Sequence, residues 1–524
     1  MASAAAAPGS RAGSAPEIED VAALPSPNQP ALIVGAMTAS LMYMLDSTVA
    51  NVALPHMQAS LGASPDTITW VLTSYILATS VAMPITGWLA DRIGARRLFV
   101  IAVSGFILAS MACGLAQNLE EMVSFRVLQG VFGAFIAPLS QSFMLDSSRP
   151  SRQPTVMAIW SAGIMIGPIM GPIVGGLLTE SGNWRWVFYI NVPVGALSIA
   201  MLLAGLPRRP LRERRFDLAG FAMIGFALAS IQLLLDRGPQ IDWFESAEAW
   251  IYAGVAISGL WMAVIRFATA RQPLVPPSLF MDRNFAIAFV LMLVIGVVMF
   301  ATMALLPPLL QRNLGYDVVD TGFVMAPRGI GVLISMQLSG LLLNRQVDPR
   351  YMVAAGFLIS DLAMWQMMHW SLEVDQFHVV WTGFLQGLGL GLVFMPMNLT
   401  AFGTLPPQLR TDGSSMLNLA RNVGSSIGIS IVTVLWGASV QTVHEELGAT
   451  VTVSSVLDVD LSTADRYQGL GASALSAIDM EVNRQASMIG YANDFYLLFW
   501  LTLATLPLVF LMRKVVRPPA RPGS

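Results

Sequence analysis

Five charged residues stand inside long apolar stretches: Asp46, Arg126, Arg328, Asp361 and Arg421. A charge at the centre of an apolar helix costs about 2.5–3.5 kcal/mol to place in a bilayer, so such residues mark a task by default. Helix rise puts Asp46 roughly 13 Å before the end of its segment at Pro55, and Arg126 roughly 8 Å into its own. The two segments run in opposite directions, so both residues sit at similar depth and can pair if the segments share one interior. Burial and a neighbouring cation act on a carboxyl in opposite senses. A pair whose separation changes between two states therefore binds and releases a proton, whereas the same pair held fixed only sets register. Arg328, in Pro327-Arg328-Gly329, and Arg421, in Leu419-Ala420-Arg421-Asn422, are expected to bind carbonyls at broken helix ends. Asp361 is either a second proton carrier or a polar packing residue.

Two glycine motifs point to movement. Gly87-Trp88-Leu89-Ala90-Asp91-Arg92-Ile93-Gly94-Ala95-Arg96-Arg97 joins two apolar segments. Its glycines let helix ends approach, and Asp91 can accept from a helix N-terminus or pair with Arg92 or another arginine. That is the chemistry of a charge latch; the plain alternative is a basic loop with glycine turns. Further on, Gly163, Gly167, Gly171 and Gly175 recur every fourth residue and line one helix face for close contact. Pro168 and Pro172 each remove a backbone donor there, which weakens the helix locally. Polar, aromatic and soft residues placed to line a cavity are Tyr43, Tyr75, Gln141, Trp160, Met395 and Asn398, with Arg328 and Arg421. The 31 Met and 25 Phe suit an adaptable surface. The four histidines show no ligand spacing, and no Gly-x4-Gly-Lys loop occurs, so neither a metal nor ATP is expected.

The elements that must hold these residues follow from composition. The chain has 524 residues, 55% of them hydrophobic and 12% charged, with mean hydropathy +0.63. Soluble domains carry about 25% charged residues. Half that value excludes a water-soluble enzyme and a nucleic-acid binder. The apolar runs are continuous and near 20 residues, as membrane helices require, not alternating 10-mers of a barrel. Fourteen spans are expected, between residues 32 and 512, making an all-α polytopic membrane protein. With the N-terminus inside, 21 Lys and Arg residues fall on the inner side and 5 on the outer. That bias orients the chain with both termini cytoplasmic. Residues 1–30 lack a signal peptide and read as a disordered tail.

An internal repeat is visible. Leu128-Gln129-Gly130 with Pro138 in the fourth span matches Leu385-Gln386-Gly387 with Pro396 in the twelfth, and the glycines of the fifth match Gly424 and Gly428 of the thirteenth. Parallel six-helix repeats with two helices inserted between them account for this spacing. The expected parts are a bundle at 31–206, two extra helices with their linkers at 207–283, and a second bundle at 284–515. A tail at 516–524 follows. The acidic outer loop 438–492 is either a helical cap or a docking surface for an outer partner.

Taken together, these motifs resemble the major facilitator superfamily. Asp91 with its glycines matches the loop 2–3 signature, Phe125-Arg126-Val127-Leu128-Gln129-Gly130 that of span 4, and the Gly-Pro strip the antiporter signature of span 5. Leu45-Asp46-Ser47-Thr48-Val49-Ala50-Asn51-Val52-Ala53-Leu54-Pro55 looks like span 1 of the fourteen-helix drug:proton antiporters, the EmrB/QacA family. Leu235-Asp236-Arg237-Gly238 and Asp242-Trp243-Phe244 resemble the outer hairpin of its Gram-negative EmrB type. The departures are Ala95, where a basic residue is usual, and Asp361. The resemblance implies two six-helix bundles around a cavity open to each side in turn. It implies an inner-membrane exporter of hydrophobic drugs, driven by the proton gradient without a cofactor. It also implies a periplasmic adaptor and an outer-membrane channel as partners. The alternatives are an exporter of one endogenous metabolite or siderophore, and a receptor that keeps the fold without transporting.

Overall fold

The computed structural model describes residues 20–180, 183–450 and 472–514, and among these it is helical throughout, with no strand. The tails expected at 1–30 and 516–524 therefore lie largely or wholly outside the described residues, as does 451–471 of the long loop. Twelve helices run in chain order from the N-terminal side: α1 Gln29–Leu61, α2 Trp70–Ala82, α3 Ala95–Leu115, α4 Leu119–Gly133, α5 Ile136–Asp146, α6 Gln153–Glu180, α7 Asn191–Gly205, α8 Leu218–Arg237, α9 Ala247–Thr269, α10 Arg283–Pro308, α11 Val318–Asn344 and α12 Pro349–Met367. Three more long helices follow, α13 Gln376–Gly403, α14 Arg410–Thr450 and α15 Ala472–Phe510, with shorter helical turns between them.

Much of the sparse charge is spent on starting these helices. The side chains of Asn118, Asp217, Asp282, Asp317 and Asp375 each accept from a backbone N–H of the following first turn. Such caps satisfy donors that a helix N-terminus otherwise leaves orphaned.

Among the described residues, eleven helices are long and apolar enough to cross a membrane, and twelve if α6, bent by 41° between Pro168 and Ile173, counts as one span. The fourteen expected spans are not reached by that criterion, for two physical reasons. Residues Trp70–Leu115 form one helical path of 46 residues, about 69 Å at 1.5 Å per residue, roughly twice a bilayer core. The path doubles back at Gly94, whose φ of +94° suits only glycine. Its two ends return to one level, since the Val71 carbonyl and the Cys113 thiol both meet α4, at Arg126 and Gln129. The other reason is α12, which is 19 residues long and whose apolar content is diluted by Arg350 and Asp361.

Helices α1–α7 form one bundle, the path α4–α5 being one leg, and α10–α15 form another. Helix α8 packs against the flank of α2, α9 packs on α8, where Gly259 faces Ala227, and Gln232 and the Leu235 carbonyl of α8 accept from Ser426 and Ser430 of α14. Both described ends of the chain reach one face, called the terminal face below. There the Leu24 N–H donates to the Asp146 carbonyl at 2.8 Å, Arg410 pairs with Asp146 at 2.7 Å, and the Arg513 N–H donates to Asn284 at 2.6 Å.

The repeat seen in the sequence recurs as packing. Gln129 donates to Asp46 of α1 at 2.8 Å, and Gln386 donates to Thr302 of α10 at 3.0 Å. A Cβ at Gly130 would meet the Tyr75 carbonyl, and one at Gly387 the Arg328 carbonyl. Asp46 thus corresponds to Thr302, and Tyr75 to Arg328. The glycine strip of α6 lies on α1, facing Met37, Met44, Thr48 and Val52. Gly424 and Gly428 of α14 face Leu293 and Val297 of α10 in the same manner. Without a hydrophobic drive between helices in lipid, such close contact is what holds them together.

The loop expected at 438–492 is different from a simple connection. Helix α14 runs on to Thr450 and α15 begins at Ala472. At 41 and 39 residues the two are about 60 Å long, roughly twice a bilayer core. They therefore project as a helical hairpin beyond the face opposite the termini.

Candidate functional site

Asp46 and Arg126 meet as their depths imply. Arg126 Nη1 lies 2.7 Å from Asp46 Oδ2, with both side chains 0% exposed. The other carboxylate oxygen accepts from Gln129 Nε2 at 2.8 Å and Asn191 Nδ2 at 2.7 Å. Arg126 also donates to the Val71 carbonyl at 3.0 Å and to Gln129 Oε1 at 2.9 Å, and it lies over the Tyr75 ring at 4.1 Å. Asn191 donates in turn to Ser110 at 3.0 Å. Five helices, α1, α2, α3, α4 and α7, thus converge on one carboxylate. A buried ion pair survives only when its remaining hydrogen-bonding groups are satisfied, and here the carboxylate is. The arginine is not fully satisfied, because Nη2 has no partner. Gln129 and Asn191 escaped the sequence reading as site residues; Gln129 carried a signal as part of the repeat, and Asn191 carried none.

The glycine motif after α2 builds the latch. A Cβ at Gly87 would collide with the Asp412 carboxylate, so only glycine lets α14 sit this close. Arg214, from the linker between α7 and α8, bridges Asp91 at 3.2 Å and Asp412 at 3.1 Å. Burial pulls the Arg214 guanidinium down, but the two carboxylates outweigh it and hold the group above its usual value. Arg92 is exposed and makes no ion pair among the described residues, so Asp91's partner is another arginine. A second seam closes the terminal face beside the latch. Asp146 of α5 pairs with Arg410 of α14 and with Arg209. Ser142 and Thr411 lie 2.9 Å apart, and Ser415 donates to the Met83 carbonyl.

The eight residues expected to line a cavity are all under a tenth exposed and fall in different places. Gln141 and Asn398 join at 2.8 Å within the terminal-face seam, where Ser414 and Asn418 also donate to Gln141. Tyr43 and Arg421 lie where the bundles meet, with Asn422 reaching the Tyr43 hydroxyl at 3.5 Å. Tyr75 belongs to the Asp46 cluster. Trp160 ties α6 to Ser140 at 2.6 Å and Ser40 at 3.3 Å, inside the first bundle. Met395 is fully buried in the core. Arg328 donates to the Met299 carbonyl at 3.2 Å. That carbonyl lies within α10, and Arg421 sits inside unbroken α14, so neither arginine serves a broken helix end. Asp361 is 4% exposed and neither carboxylate oxygen has a partner, so the polar surroundings expected for a packing role are missing. Among the described residues no cluster of His, Cys, Asp and Glu could hold a metal.

Residues 36–429 match the Major Facilitator Superfamily. The chain belongs to the major facilitator superfamily. It is 33% identical over 499 residues to the multidrug export protein EmrB of Escherichia coli K12, covering 94% of this chain and 96% of that one. It is 32% identical over 486 residues to the fatty acid resistance protein FarB of Neisseria gonorrhoeae, covering 92% and 95%. Among solved structures, the human organic anion transporter TETRAN aligns with a TM-score of 0.58 at 13% identity, over 90% of this chain and 99% of that one. The proton:xylose symporter XylE aligns with a TM-score of 0.58 at 12% identity, over 91% and 96%. The fold is thus that of the superfamily, and the chain is a membrane transporter, not an enzyme.

Proposed function

We propose that this chain is a proton-coupled exporter of hydrophobic toxic compounds in the inner membrane of a bacterium, with fourteen spans and its terminal face in the cytoplasm. The observation that carries the coupling is the Asp46–Arg126 pair, fully buried and gathered by five helices. A proton on Asp46 cancels its attraction to Arg126 and loosens Gln129 and Asn191 together. Arg126 and Gln129 belong to α4, Asn191 to α7 and Asp46 to α1, so one proton changes how three helices of the first bundle are held. Relatives named for multidrug export over nearly the whole chain support the substrate class. The basic residues of the linkers support the orientation.

In the arrangement described here the terminal face is shut by Asp91–Arg214–Asp412 and Asp146–Arg410. Export then alternates between this state and one in which those pairs part and the cytoplasm gains access. The projecting hairpin of α14 and α15 suits contact with a periplasmic adaptor leading to an outer-membrane channel. The test is substrate-driven proton flux in proteoliposomes under an imposed pH gradient. Asp46→Asn keeps the size and hydrogen bonding of the side chain but cannot titrate. It should insert normally and lose coupled export, and robust pH-driven export by this variant overturns the assignment.

A further inference from the structure

The two helices between the bundles have no task in the transport machinery so far. Helix α8 runs antiparallel to α2 and meets its helical path from end to end. At the terminal face the ring of Phe216, just before α8, lies 4.5 Å from that of Trp88. Midway, a Cβ at Gly225 would come within 3.4 Å of Val81. Near the opposite face the Thr73 hydroxyl lies beside the Asp236 carboxylate, which accepts from Gln232 at 2.9 Å. At the end of α8, Arg237 stands over the Trp70 ring at 5.9 Å. Helix α9 is fixed to α8 in turn, with Arg266 paired to Asp217 at 3.1 Å.

The hold of α8 on the second bundle is narrower and easier to release. Ser426 donates to Gln232 at 2.9 Å, and Ser430, one turn on, donates to the Leu235 carbonyl at 3.0 Å. That carbonyl is free for it because Pro239, four residues on, has no N–H to offer. Both bonds join neutral groups, and a helical serine can turn back to its own backbone. Ser426 already lies 3.4 Å from the Asn422 carbonyl. The flank that α8 covers also differs along its length. At the terminal face α14 meets the α2 path directly, at Gly87 against Asp412 and at Met83 against Ser415. Helix rise from Met83 to Thr73, and from Ser415 to Ser426, puts the α8 bridge about 15 Å nearer the opposite face. There a helix stands between α2 and α14. The other flank has no such insertion: α6 and α11 touch near both ends, Ala158 against Gly340 and Ile173 against Gly322. When the terminal face opens and the opposite half closes, α14 moves toward the place α8 occupies, and α8 cannot keep both sets of contacts.

We propose that α8, with α9 attached, is a lateral seal carried by the first bundle: its contacts with α2 persist through the transport cycle, while Ser426 and Ser430 of α14 let go of it and return. The inference rests on the alternating access proposed above. It gives the inserted pair the task of filling the gap between α2 and α14 while the terminal face is shut. Lipid is kept out of the path there, and a hydrophobic substrate is kept from slipping sideways into the bilayer.

Two pairs of introduced thiols separate the two sides of α8, since Cys113 is buried. In the full chain in proteoliposomes, a short bis-methanethiosulfonate bridge from Val81→Cys to Gly225→Cys should leave substrate-driven proton flux unchanged. The same bridge from Gln232→Cys to Ser426→Cys should abolish the flux, and reductant should restore it. Mass spectrometry of the bridged peptides gives the extent of crosslinking. A second readout needs no transport: the rate at which a Ser142→Cys thiol in the terminal-face seam is labelled by maleimide. Ser426→Ala with Ser430→Ala removes two bonds made only in the shut arrangement, so labelling should quicken by roughly fivefold or more. Thr73→Val, on the side that stays together, should leave the rate unchanged. Flux that survives the Gln232–Ser426 bridge, or is lost on bridging α8 to α2, overturns the proposal, as does labelling that ignores the serines. Labelling that follows the serines in a protein with no proton-coupled flux, bridged or not, upholds the seal and refutes the coupling instead.

Discussion

Replacing Arg214 by Gln should unlatch the terminal face. Arg214 is shared by Asp91 at 3.2 Å and Asp412 at 3.1 Å, with side-chain exposures of 23%, 16% and 6%. At an effective dielectric near 20, one such pair has a Coulomb energy of about 5 kcal/mol. Exposed pairs keep only about 0.2–1 kcal/mol of that, while stripping the partner from a buried charge costs about 3–5 kcal/mol. Arg214 lies between these limits and serves two acids, so its loss costs the closed arrangement about 2–3 kcal/mol. Parting the bundles relieves the two acids left facing each other. At about 1.36 kcal/mol per factor of ten, the equilibrium shifts roughly 30- to 150-fold toward the open terminal face. Cys113 is the only cysteine and is buried, so a single introduced thiol reports cleanly. Ser142→Cys places it in the seam, at a residue 1% exposed against Thr411. Its labelling by a membrane-permeant maleimide should quicken by roughly tenfold or more when Arg214→Gln is added, and by less with Arg214→Lys, which keeps the charge but not the fork. An unchanged rate in both would refute the latch and leave closure to Asp146 and Arg410.

Other outcomes follow from the same geometry. Gly171→Leu drives a side chain into Thr48 of α1, an overpacking cost of about 1–3 kcal/mol or more; turnover and membrane yield should both fall, and wild-type turnover would mean that the two helices separate freely. Gln129→Leu removes partners of Asp46 and Arg126 at about 1–3 kcal/mol for the groups left unpaired. It should change the pH at which export is half-maximal, read in vesicles, whereas an unchanged profile would make Gln129 a bystander. Exchanging 438–492 for a short Gly/Ser linker should spare substrate-induced proton flux in vesicles and lower resistance in whole cells. Joint loss would make the hairpin a cap of the transport path, and full cellular resistance would exclude both roles.

What the sequence disclosed is what spacing alone determines. Asp46 and Arg126 were legible as a pair because helix rise fixes their depths, and few charges compete with them. The glycine strip was legible because its period matches one helix face, and that face meets α1. Arg214 was not, since five arginines lie between 208 and 215. Only the course of the linker beneath α2 and α14 selects one of them. Asp412 was hidden for the same reason: it is an acid at a helix start, where a capping role is the ordinary expectation. The candidate cavity residues were drawn from polar and aromatic positions within spans, and such positions also serve seams and intra-bundle ties. Gln141 and Trp160 do these things. For 438–492 the sequence offers a helical cap or a docking surface but not the length of α14 and α15, because composition turns polar there while polar residues with good helix propensity simply continue a helix into water.

The two halves share a frame but not a chemistry, and that bears on coupling. Glutamines 129 and 386 hold equivalent places, yet one grips a carboxylate and the other the hydroxyl of Thr302. The frame that sets Gly130 against Tyr75 and Gly387 against Arg328 also aligns Arg126 with Gly383, three residues before the repeated glutamine. In the first bundle the arginine therefore comes from α4 and lies over a tyrosine of α2. In the second it comes from α11, at the tyrosine's place, and α13 contributes glycine where the first bundle has arginine. Arg328 consequently faces no carboxylate; it reaches a backbone carbonyl at 3.2 Å and leaves Nη1 without a partner. Among the described residues, a carboxylate–arginine pair with both side chains fully buried occurs only in the first half. The second half supplies Asp412 to the latch and Arg410 to the seam. Proton binding in one bundle must then be felt by the other through the surfaces they share, and the terminal-face ion pairs are where those surfaces carry charge.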